Sequence, residues 1–336
     1  MAPKIDPAIL AALSLDAATT SIVSHGGSGF ASTFKITSTV EGKEKLFFVK
    51  QGNGKASEIM FTGEHASLNA IHNAVPSLCP KSYANGKLST GNGSFLATDF
   101  LDLSHSSTSP SAASHGGSNM TLAQKLAKLH SAPAPVPDGY ARAMFGFPVP
   151  TCCGETEQDN GFRERWAEFY GECRLRGVAR KAEGKQGVDG EVQRLVEGVV
   201  GEVVPRLLGE GWLRDGRTGG VIVPVVVHGD LWSGNHGRGS IGGGPAEEVV
   251  FDASAAWAHS EFEFGIMGMF GGFGGSFNKE YWKYKPKDEP VEEWEDRVQL
   301  YELYHHLNHY AMFGGGYRGG AVRIMQRLIK KYGSNS

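Results

Sequence analysis

Three polar residues follow two short apolar runs in the second half of the chain, and their types suit metal and proton chemistry. Asp230 comes directly after VVVHG, Asn235 follows five residues later, and Asp252 ends the string VVFD. Runs of β-branched residues predict strands, with the polar residues displayed where each strand ends. Carboxylate and amide oxygens are hard ligands of the type that Mg²⁺ takes. We interpret Asn235 and Asp252 as metal ligands, and Asp230 as the group that orients a substrate hydroxyl or accepts its proton.

Lys50 and Glu64 add two further parts that transfer of a phosphoryl group from ATP requires. Lys50 ends the strand-like run LFFVK, and Glu64 lies on the apolar stripe of a predicted helix. A carboxylate on such a stripe is costly without a partner, so we predict an ion pair between the two side chains. A solvated edge lysine and a surface glutamate are the alternative. Asp230 alone would also fit an Asx-turn, which would not account for the other four residues.

A glycine-rich segment, SHGGSGFAST, lies between two predicted strands. Gly26, Gly27 and Gly29 would let backbone N–H groups approach the phosphate oxygens of ATP. The same glycines suit an ordinary hairpin turn, and the sequence leaves both interpretations open.

The elements that must position these residues change in type along the chain. Strands are predicted at 20–25, 33–40, 46–50 and 94–101, and a helix at 58–73. From residue 121 the pattern is mainly helical, with a buried helix at 292–314, and is interrupted near 225–252. The low-complexity segments 104–119 and 236–248 are interpreted as flexible loops. We therefore predict an α+β protein with a strand-rich domain over 1–101 and a helical domain over 102–336.

Composition excludes several classes of protein. A formal net charge of −3 without a basic block argues against a nucleic-acid partner. No apolar run reaches membrane length, and the acidic N-terminal stretch around AILAAL does not resemble a secretory signal. The four cysteines fit no zinc pattern and are interpreted as free thiols in a reducing compartment. We expect a cytoplasmic protein.

The string HGDLWSGN resembles the signature of the fructosamine/ketosamine-3-kinase family, a branch of the protein-kinase-like fold close to aminoglycoside and choline kinases. Those relatives usually carry histidine and proline where this chain has Trp232 and Ser233, so LWSGN is the specific part. The resemblance covers most of the chain except the two low-complexity segments. It extends to FFVK, GEHASLNAI, LAKLH, FGFPVPTCCGETEQDNGFRERW, AHSEFEFGIMGMFGGF and LYELYHHLNHYAMFGGGY.

The resemblance implies a bilobal fold, with an antiparallel-sheet N-lobe containing one key helix and a mainly helical C-lobe. It implies ATP and Mg²⁺ as cofactors, with the adenine bound by backbone groups of Thr98, Asp99, Phe100 and Leu101. The substrate would be a ketosamine on a protein lysine or a free amine. Phosphorylation of its sugar 3-hydroxyl would yield an unstable adduct that detaches, which is a deglycation repair activity.

Three further residues have two open interpretations each. Trp232 would offer its indole face to the substrate or would only pack the loop. His259 and Glu261 match family positions and would lie on the substrate side or act as structural supports. The chain departs from the family at Ala253 and Ala258, where proline and glycine are usual; the metal carboxylate of Asp252 is retained.

Two other functions stay open at this point. The first is a kinase of another small molecule, such as choline or an aminoglycoside, although LWSGN and the C-terminal segment favour the ketosamine branch. The second is a pseudokinase that serves as a binding module, although no lysine, base or metal ligand is missing. The sequence leaves open the sugar preference, the choice between protein-bound and free substrates, and the oligomeric state.

Overall fold

The computed structural model describes residues 4–27, 31–104 and 120–333, which form two compact units. Unit 1 contains the described residues of Met1–Leu122 together with Gly234–Ala253. Unit 2 contains Ala123–Ser233 and the described residues of Ser254–Ser336. The division therefore differs from a single boundary after residue 101, because a later segment of the chain returns to unit 1.

Unit 1 is built on a five-stranded antiparallel sheet with the order β1-β2-β3-β5-β4. Alternation along the third strand gives the sheet two different faces: Phe47 and Val49 are buried in the core, whereas Phe48 and Lys50 point to the other side. The elements are helices α1 Pro7–Leu13 and α2 Gly54–Ala74, with strands β1 Thr20–Ser24, β2 Ser32–Val40, β3 Lys43–Asn53, β4 Ser82–Lys87 and β5 Gly93–Asp99.

The predicted strands at 20–25, 33–40, 46–50 and 94–101 are confirmed with small shifts at their ends, as is the helix at 58–73. Strand β4 was not predicted, because its sequence SYANGK lacks β-branched residues and an apolar alternation. It forms through its pairing with β5, which is buried along nearly its whole length.

A three-stranded sheet completes unit 1, with the order β11-β10-β6. Its strands are β6 Leu101–Asp102, β10 His236–Ile241 and β11 Ala246–Val250. The prediction of a loop over 236–248 is therefore wrong for most of the segment, which folds as a hairpin. Gly242 and Gly243 adopt positive φ in the turn. At Gly239 an added Cβ would lie only 2.7 Å from the carbonyl oxygen of Asp102. The glycine therefore allows β6 to pack closely against β10.

Unit 2 is mainly helical, as predicted, and its core lies around α10 Trp294–Phe313, which is buried on most faces. Its other helices are α3 Leu122–Leu129, α4 Trp166–Phe169, α5 Gly177–Gln186, α6 Gly190–Gly198, α7 Val204–Leu208, α8 Phe264–Met267, α9 Gly275–Tyr284 and α11 Gly315–Tyr332. π-Helical segments at Tyr170–Arg176 and Val199–Val203 join α4 to α5 and α6 to α7.

Two small antiparallel sheets accompany these helices. The first pairs β7 Thr151–Cys153 with β8 Thr156–Gln158, and the second pairs β9 Val225–Val227 with β12 Ala256–Ala258. Strands β7, β8 and β12 have three residues each and are too short to be read from a period-2 pattern. Within the described ranges, no helix is both long enough and apolar enough to cross a membrane.

A buried ion pair links α10 to the segment after β12. Nε and Nη2 of Arg297 donate to the two carboxylate oxygens of Glu261 at 2.7 and 3.1 Å. The remaining Arg297 donors reach the carbonyl oxygens of Pro290 and Asp288. Because the arginine is 0% exposed, removing either charge leaves the other without compensation in a low-dielectric interior.

We expect Arg297→Leu to lower the free energy of unfolding by about 3–5 kcal/mol, since Glu261 would stay buried without its cation. All six tryptophans lie in unit 2, so tryptophan fluorescence during urea unfolding reports on this unit. The control is Arg142→Leu, which breaks an ion pair with Glu164 whose side chains are 66% and 61% exposed; we expect little change. Equal effects of the two substitutions would contradict the assignment.

Candidate active site

A cavity of about 300 Å³ in unit 1 brings together most of the predicted nucleotide-binding residues. Apolar side chains line much of it, and its acidic and basic residues are Lys50, Glu64, Asp99 and Asp252. The lining residues are His25, Gly26, Gly27, Thr33, Phe48, Lys50, Glu64, Leu68, Pro80, Thr98, Asp99, Leu101, Leu103, Phe251 and Asp252.

Lys50 is the centre of the charged group. Its Nζ donates to Oε1 and Oε2 of Glu64 at 2.7 and 2.9 Å, so the predicted ion pair is present. It also donates to Oδ1 of Asp252 at 2.6 Å. Burial alone would lower the pKa of Lys50, but the two carboxylates raise the pKa above its ordinary value. The ammonium therefore stays charged at neutral pH, as a phosphate-binding lysine requires.

The glycine-rich segment connects β1 to β2, and its described part lines the same cavity. Gly26 has φ +68°, a conformation that favours glycine. The backbone N–H of His25 donates to the carbonyl oxygen of Thr33 at 2.9 Å. Strands β1 and β2 are paired on either side of the segment, and Gly26 and Gly27 lie beside the cavity that contains Lys50. Gly29 lies outside the described residues.

The four residues predicted to bind adenine differ in their positions. Thr98, Asp99 and Leu101 line the cavity, whereas Phe100 is not among its described lining residues. The N–H of Phe100 donates to Leu46, and its carbonyl oxygen accepts from Gly242. Both backbone groups of Phe100 therefore have partners within unit 1. Thr98, Asp99 and Leu101 stay the candidates because they line the cavity.

The hairpin of β10 and β11 brings Asn235 and Asp252 to the same end of unit 1. His236 pairs with Val250, and the N–H of Phe251 donates to the carbonyl oxygen of Asn235. Asp252 follows directly with φ +56°, a left-handed conformation that aspartate tolerates better than most residues. An amide oxygen and a carboxylate at the end of one hairpin form a hard donor set that fits Mg²⁺.

Asp230 belongs to unit 2, where strand β9 and a buried carboxylate hold its loop. The N–H groups of His228 and Gly229 donate to the carboxylate of Glu263 at 2.6 and 3.0 Å. Burial alone would raise the pKa of Glu263, but His130 and His228 keep the pKa below its ordinary value. The N–H of Asp230 donates to Nδ1 of His228 at 3.3 Å. His228 therefore braces the loop backbone, as predicted.

The residues predicted on the substrate side separate into two kinds. Trp232 is 36% exposed, and its ring packs in a T-shaped arrangement with Phe270 at a centroid distance of 5.5 Å, so part of the side chain remains accessible. His259 is buried, with its ring nitrogens 2.7 Å from Tyr301 and Asp288. Glu261 is buried against Arg297, as described above. For His259 and Glu261 the geometry favours structural support, which was the second of their two open interpretations.

The sequence did not indicate two neighbours of Asp230. Ligand atoms of Cys153, Asp230 and His305 lie within 4.8 Å of one another. Cys153 was expected only as a free thiol, which it is, and His305 only as part of a buried helix. The three residues are far apart in sequence, so no local spacing connects them. His25 beside Lys50 was also missed, because a single histidine next to a glycine-rich turn carries no pattern.

Comparison with known proteins shows similarity along nearly the whole chain. A fructosamine kinase family model matches residues 12–331. A ketosamine-3-kinase of Mus musculus is 34% identical over 314 residues, 91% of this chain and 94% of that protein. A chloroplastic protein-ribulosamine 3-kinase of Arabidopsis thaliana is 34% identical over 284 residues, 84% and 76% of the two chains. A crystal structure from Thermobifida fusca, provisionally named fructosamine-3-kinase, aligns with a TM-score of 0.69 and 24% identity over 92% of this chain and 93% of that one. These findings confirm the predicted family resemblance and the protein-kinase-like fold.

The loop that carries Asp230 depends on a glycine at position 229. Gly229 has φ +82°, and a Cβ there would lie 2.0 Å from the carbonyl oxygen of Ser254. We expect Gly229→Ala to lower the free energy of unfolding of unit 2 by at least about 1–3 kcal/mol, measured by urea unfolding with tryptophan fluorescence. The matched control is Gly201→Ala in the same unit, where an added Cβ meets nothing within 4 Å. A loss for Gly229→Ala no greater than that of the control would contradict the prediction.

Proposed function

Because this chain belongs to the fructosamine kinase family, we propose that it is an ATP-dependent ketosamine-3-kinase. It transfers the γ-phosphate of ATP to the sugar 3-hydroxyl of ribulosamine or fructosamine adducts on protein lysines or free amines. The observation that carries the proposal is the bonding of Lys50 to Glu64 and Asp252 in a cavity of about 300 Å³. Phosphoryl transfer requires a lysine that holds the phosphates, a carboxylate that fixes this lysine, and an aspartate that binds the metal ion; Lys50, Glu64 and Asp252 would fill these roles.

Unit 1 is proposed as the ATP-binding part of the protein. The apolar walls of its cavity accommodate adenine beside Thr98, Asp99 and Leu101. The backbone N–H groups at Gly26 and Gly27 lie close to the phosphates. Lys50 holds the phosphates as an ammonium, and Glu64 keeps its side chain in place.

Mg²⁺ is proposed to bind to Asn235 and Asp252. The Asp252 side chain is 53% exposed and already accepts a hydrogen bond from Lys50, so it can bind a partly hydrated ion and keep contact with the lysine. When bound, the ion neutralises negative charge on the phosphate oxygens.

Unit 2 is proposed to supply the acceptor side of the reaction. Asp230 orients the 3-hydroxyl and takes its proton as the oxygen bonds to the γ-phosphorus and ADP leaves. The hydrogen bonds from His228 and Gly229 to Glu263 fix the loop before the substrate arrives, which lowers the cost of positioning. Trp232 packs its exposed indole face against the sugar or its carrier.

The phosphorylated adduct would then detach from the amine, so the proposed activity reverses glycation. Its partners are glycated proteins or free ketosamines. A cytoplasmic location remains a prediction from the sequence.

The proposal is tested by measuring ADP formation by the purified protein with Mg-ATP and one acceptor at a time. The acceptors are ribulose-lysine, fructose-lysine, choline and kanamycin. We expect turnover with a ketosamine and none with choline or kanamycin. Turnover with choline or kanamycin instead of a ketosamine would overturn the substrate assignment. Absence of turnover despite ATP binding would overturn the proposed activity.

Asp230→Asn is expected to lower kcat on the preferred ketosamine by about 10²–10⁴, because the amide cannot take the hydroxyl proton. ATP binding should survive, since the proposed nucleotide-binding residues belong to unit 1. Mg-ATP should therefore raise the melting temperature of the variant and of the parent protein by similar amounts. Near-parental turnover of the variant would remove Asp230 from the proposed role.

Lys50→Met is expected to lower kcat/KM for ATP by about 10- to 100-fold, the effect of losing charge-assisted hydrogen bonds to phosphate. The matched control is Lys55→Met, because Lys55 is 75% exposed and pairs only with the surface residue Glu58 among the described ion pairs. We expect Lys55→Met to behave like the parent. Parental kcat/KM in Lys50→Met would contradict the role assigned to Lys50.

A further inference from the structure

We propose that Cys153, Asp230 and His305 form an inhibitory Zn²⁺ site within unit 2. Binding of the ion would occupy the carboxylate that the proposed reaction uses as its proton acceptor. The site is distinct in chemistry from the Mg²⁺ site of unit 1, because one ligand is a thiol and another an imidazole. Ion binding rests on the geometry alone, whereas the inhibition rests on the proposed function.

The first observation concerns His305, which is 0% exposed. Neither of its ring nitrogens has a hydrogen-bond partner among the described residues. The ring itself is well held, stacked on Phe262 at 5.9 Å and edge-on to Tyr304 at 5.0 Å. A buried polar atom without a partner is costly, and such atoms in native proteins are rare unless an ion or water completes them. His305 therefore offers a fixed lone pair that no donor in the described part of the chain satisfies.

The second observation is the position of Cys153. Its thiol, a carboxylate oxygen of Asp230 and a nitrogen of His305 all lie within 4.8 Å of one another. Cys153 is 1% exposed and lies on strand β7, where successive side chains point to opposite faces. The adjacent Cys152 is therefore directed away from this group. Chain positions 153, 230 and 305 meet here only because the fold brings them together.

The donor set favours zinc over magnesium. Thiolate, imidazole and carboxylate are the usual Zn²⁺ ligands, and three protein ligands leave a fourth position for water. Tetrahedral bonds of about 2.0–2.3 Å separate the ligand atoms by roughly 3.5 Å, so side-chain shifts on the order of 1 Å would close the group on the ion. Burial lowers the pKa of His305 well below its ordinary value, which leaves it in the neutral form that ligates metals.

Binding requires one proton to leave. Burial, followed by the neighbouring Asp230, raises the pKa of Cys153 well above its ordinary value, so the thiol is protonated without metal. Zn²⁺ from solution replaces this proton, which passes to the buffer, and no oxidation or reduction takes place. Asp230 is only partly buried and connects the two buried ligands to the surface.

A second trio of potential ligands shows why this one is different. His259, Glu261 and Asp288 are equally close to one another and fully buried. However, Nε2 of His259 is 2.7 Å from Asp288, and Glu261 accepts two hydrogen bonds from Arg297. The potential ligand atoms of this second trio therefore already take part in hydrogen bonds and ion pairs. Among the described residues, only the Cys153 trio combines ligand chemistry with an imidazole that has no partner.

The test uses Co²⁺ as a spectroscopic substitute for Zn²⁺, added without nucleotide to the tag-free chain of 336 residues. We expect one Co²⁺ per chain with a sulfur-to-cobalt charge-transfer band, displaced by Zn²⁺. His305→Phe should weaken metal binding by at least about 10- to 100-fold, while the ring keeps its stacking contacts. Cys153→Ser should abolish the charge-transfer band. The matched control is Cys152→Ser, which should retain both the band and the affinity.

Several outcomes would overturn the site. Absence of the band in the parent protein, or its persistence in Cys153→Ser, would do so, as would parental affinity in His305→Phe. If Cys153→Ser does not fold, His305→Phe still decides, because it replaces a buried polar ring by an apolar ring of similar shape. Urea unfolding of His305→Phe verifies that it folds.

The inhibition is tested separately with the preferred ketosamine. Zn²⁺ should lower the turnover rate of the parent protein and of Cys152→Ser, and a chelator should restore that rate. At the same free Zn²⁺ concentration, the fraction of turnover that is lost should be at least about tenfold smaller in His305→Phe than in the parent. Equal fractional losses would overturn the inhibitory role. Failure of the proposed function would appear differently, as absence of turnover in the metal-free parent, and would leave the cobalt result to decide the site.

Discussion

The buried carboxylate of Glu263 is the constraint on which the loop that carries Asp230 depends. A carboxylate that is 1% exposed must be paired, and its partners are the N–H groups of His228 and Gly229, with His130 at 3.4 Å. Satisfying this one charge therefore fixes the backbone directly before Asp230. The loop that carries Asp230 thus has its geometry set by the core of unit 2.

Strong local signals were sufficient to predict much of the fold and several of the candidate site residues. The alternation in LFFVK and the apolar stripe around Glu64 predicted a strand, a helix and the ion pair between them, and each is present. The long helix near the C-terminus was equally readable, because apolar residues occur on most of its faces.

Features that depend on distant partners could not be predicted in this way. Strand β4 has a turn-like sequence and exists through its pairing with β5. The glycines of 236–248 suggested a loop, whereas Gly239 allows close strand approach and Gly242 allows the turn. The meeting of Cys153 and His305 with Asp230 is a property of the folded core, and no spacing in the sequence encodes it.

The return of Gly234–Ala253 to unit 1 also has a consequence for how the protein is made. Strands β10 and β11 and the residue Asp252 belong to a unit whose other strands are synthesised far earlier. A nascent chain that has emerged only as far as residue 122 lacks this hairpin, so the sheet containing β6 has no partner strands. Unit 1 is complete only after residue 253 has been synthesised. By then residues 123–233, more than half of unit 2, have been synthesised as well. Unit 1 therefore cannot be completed as an N-terminal module before part of unit 2 has been synthesised.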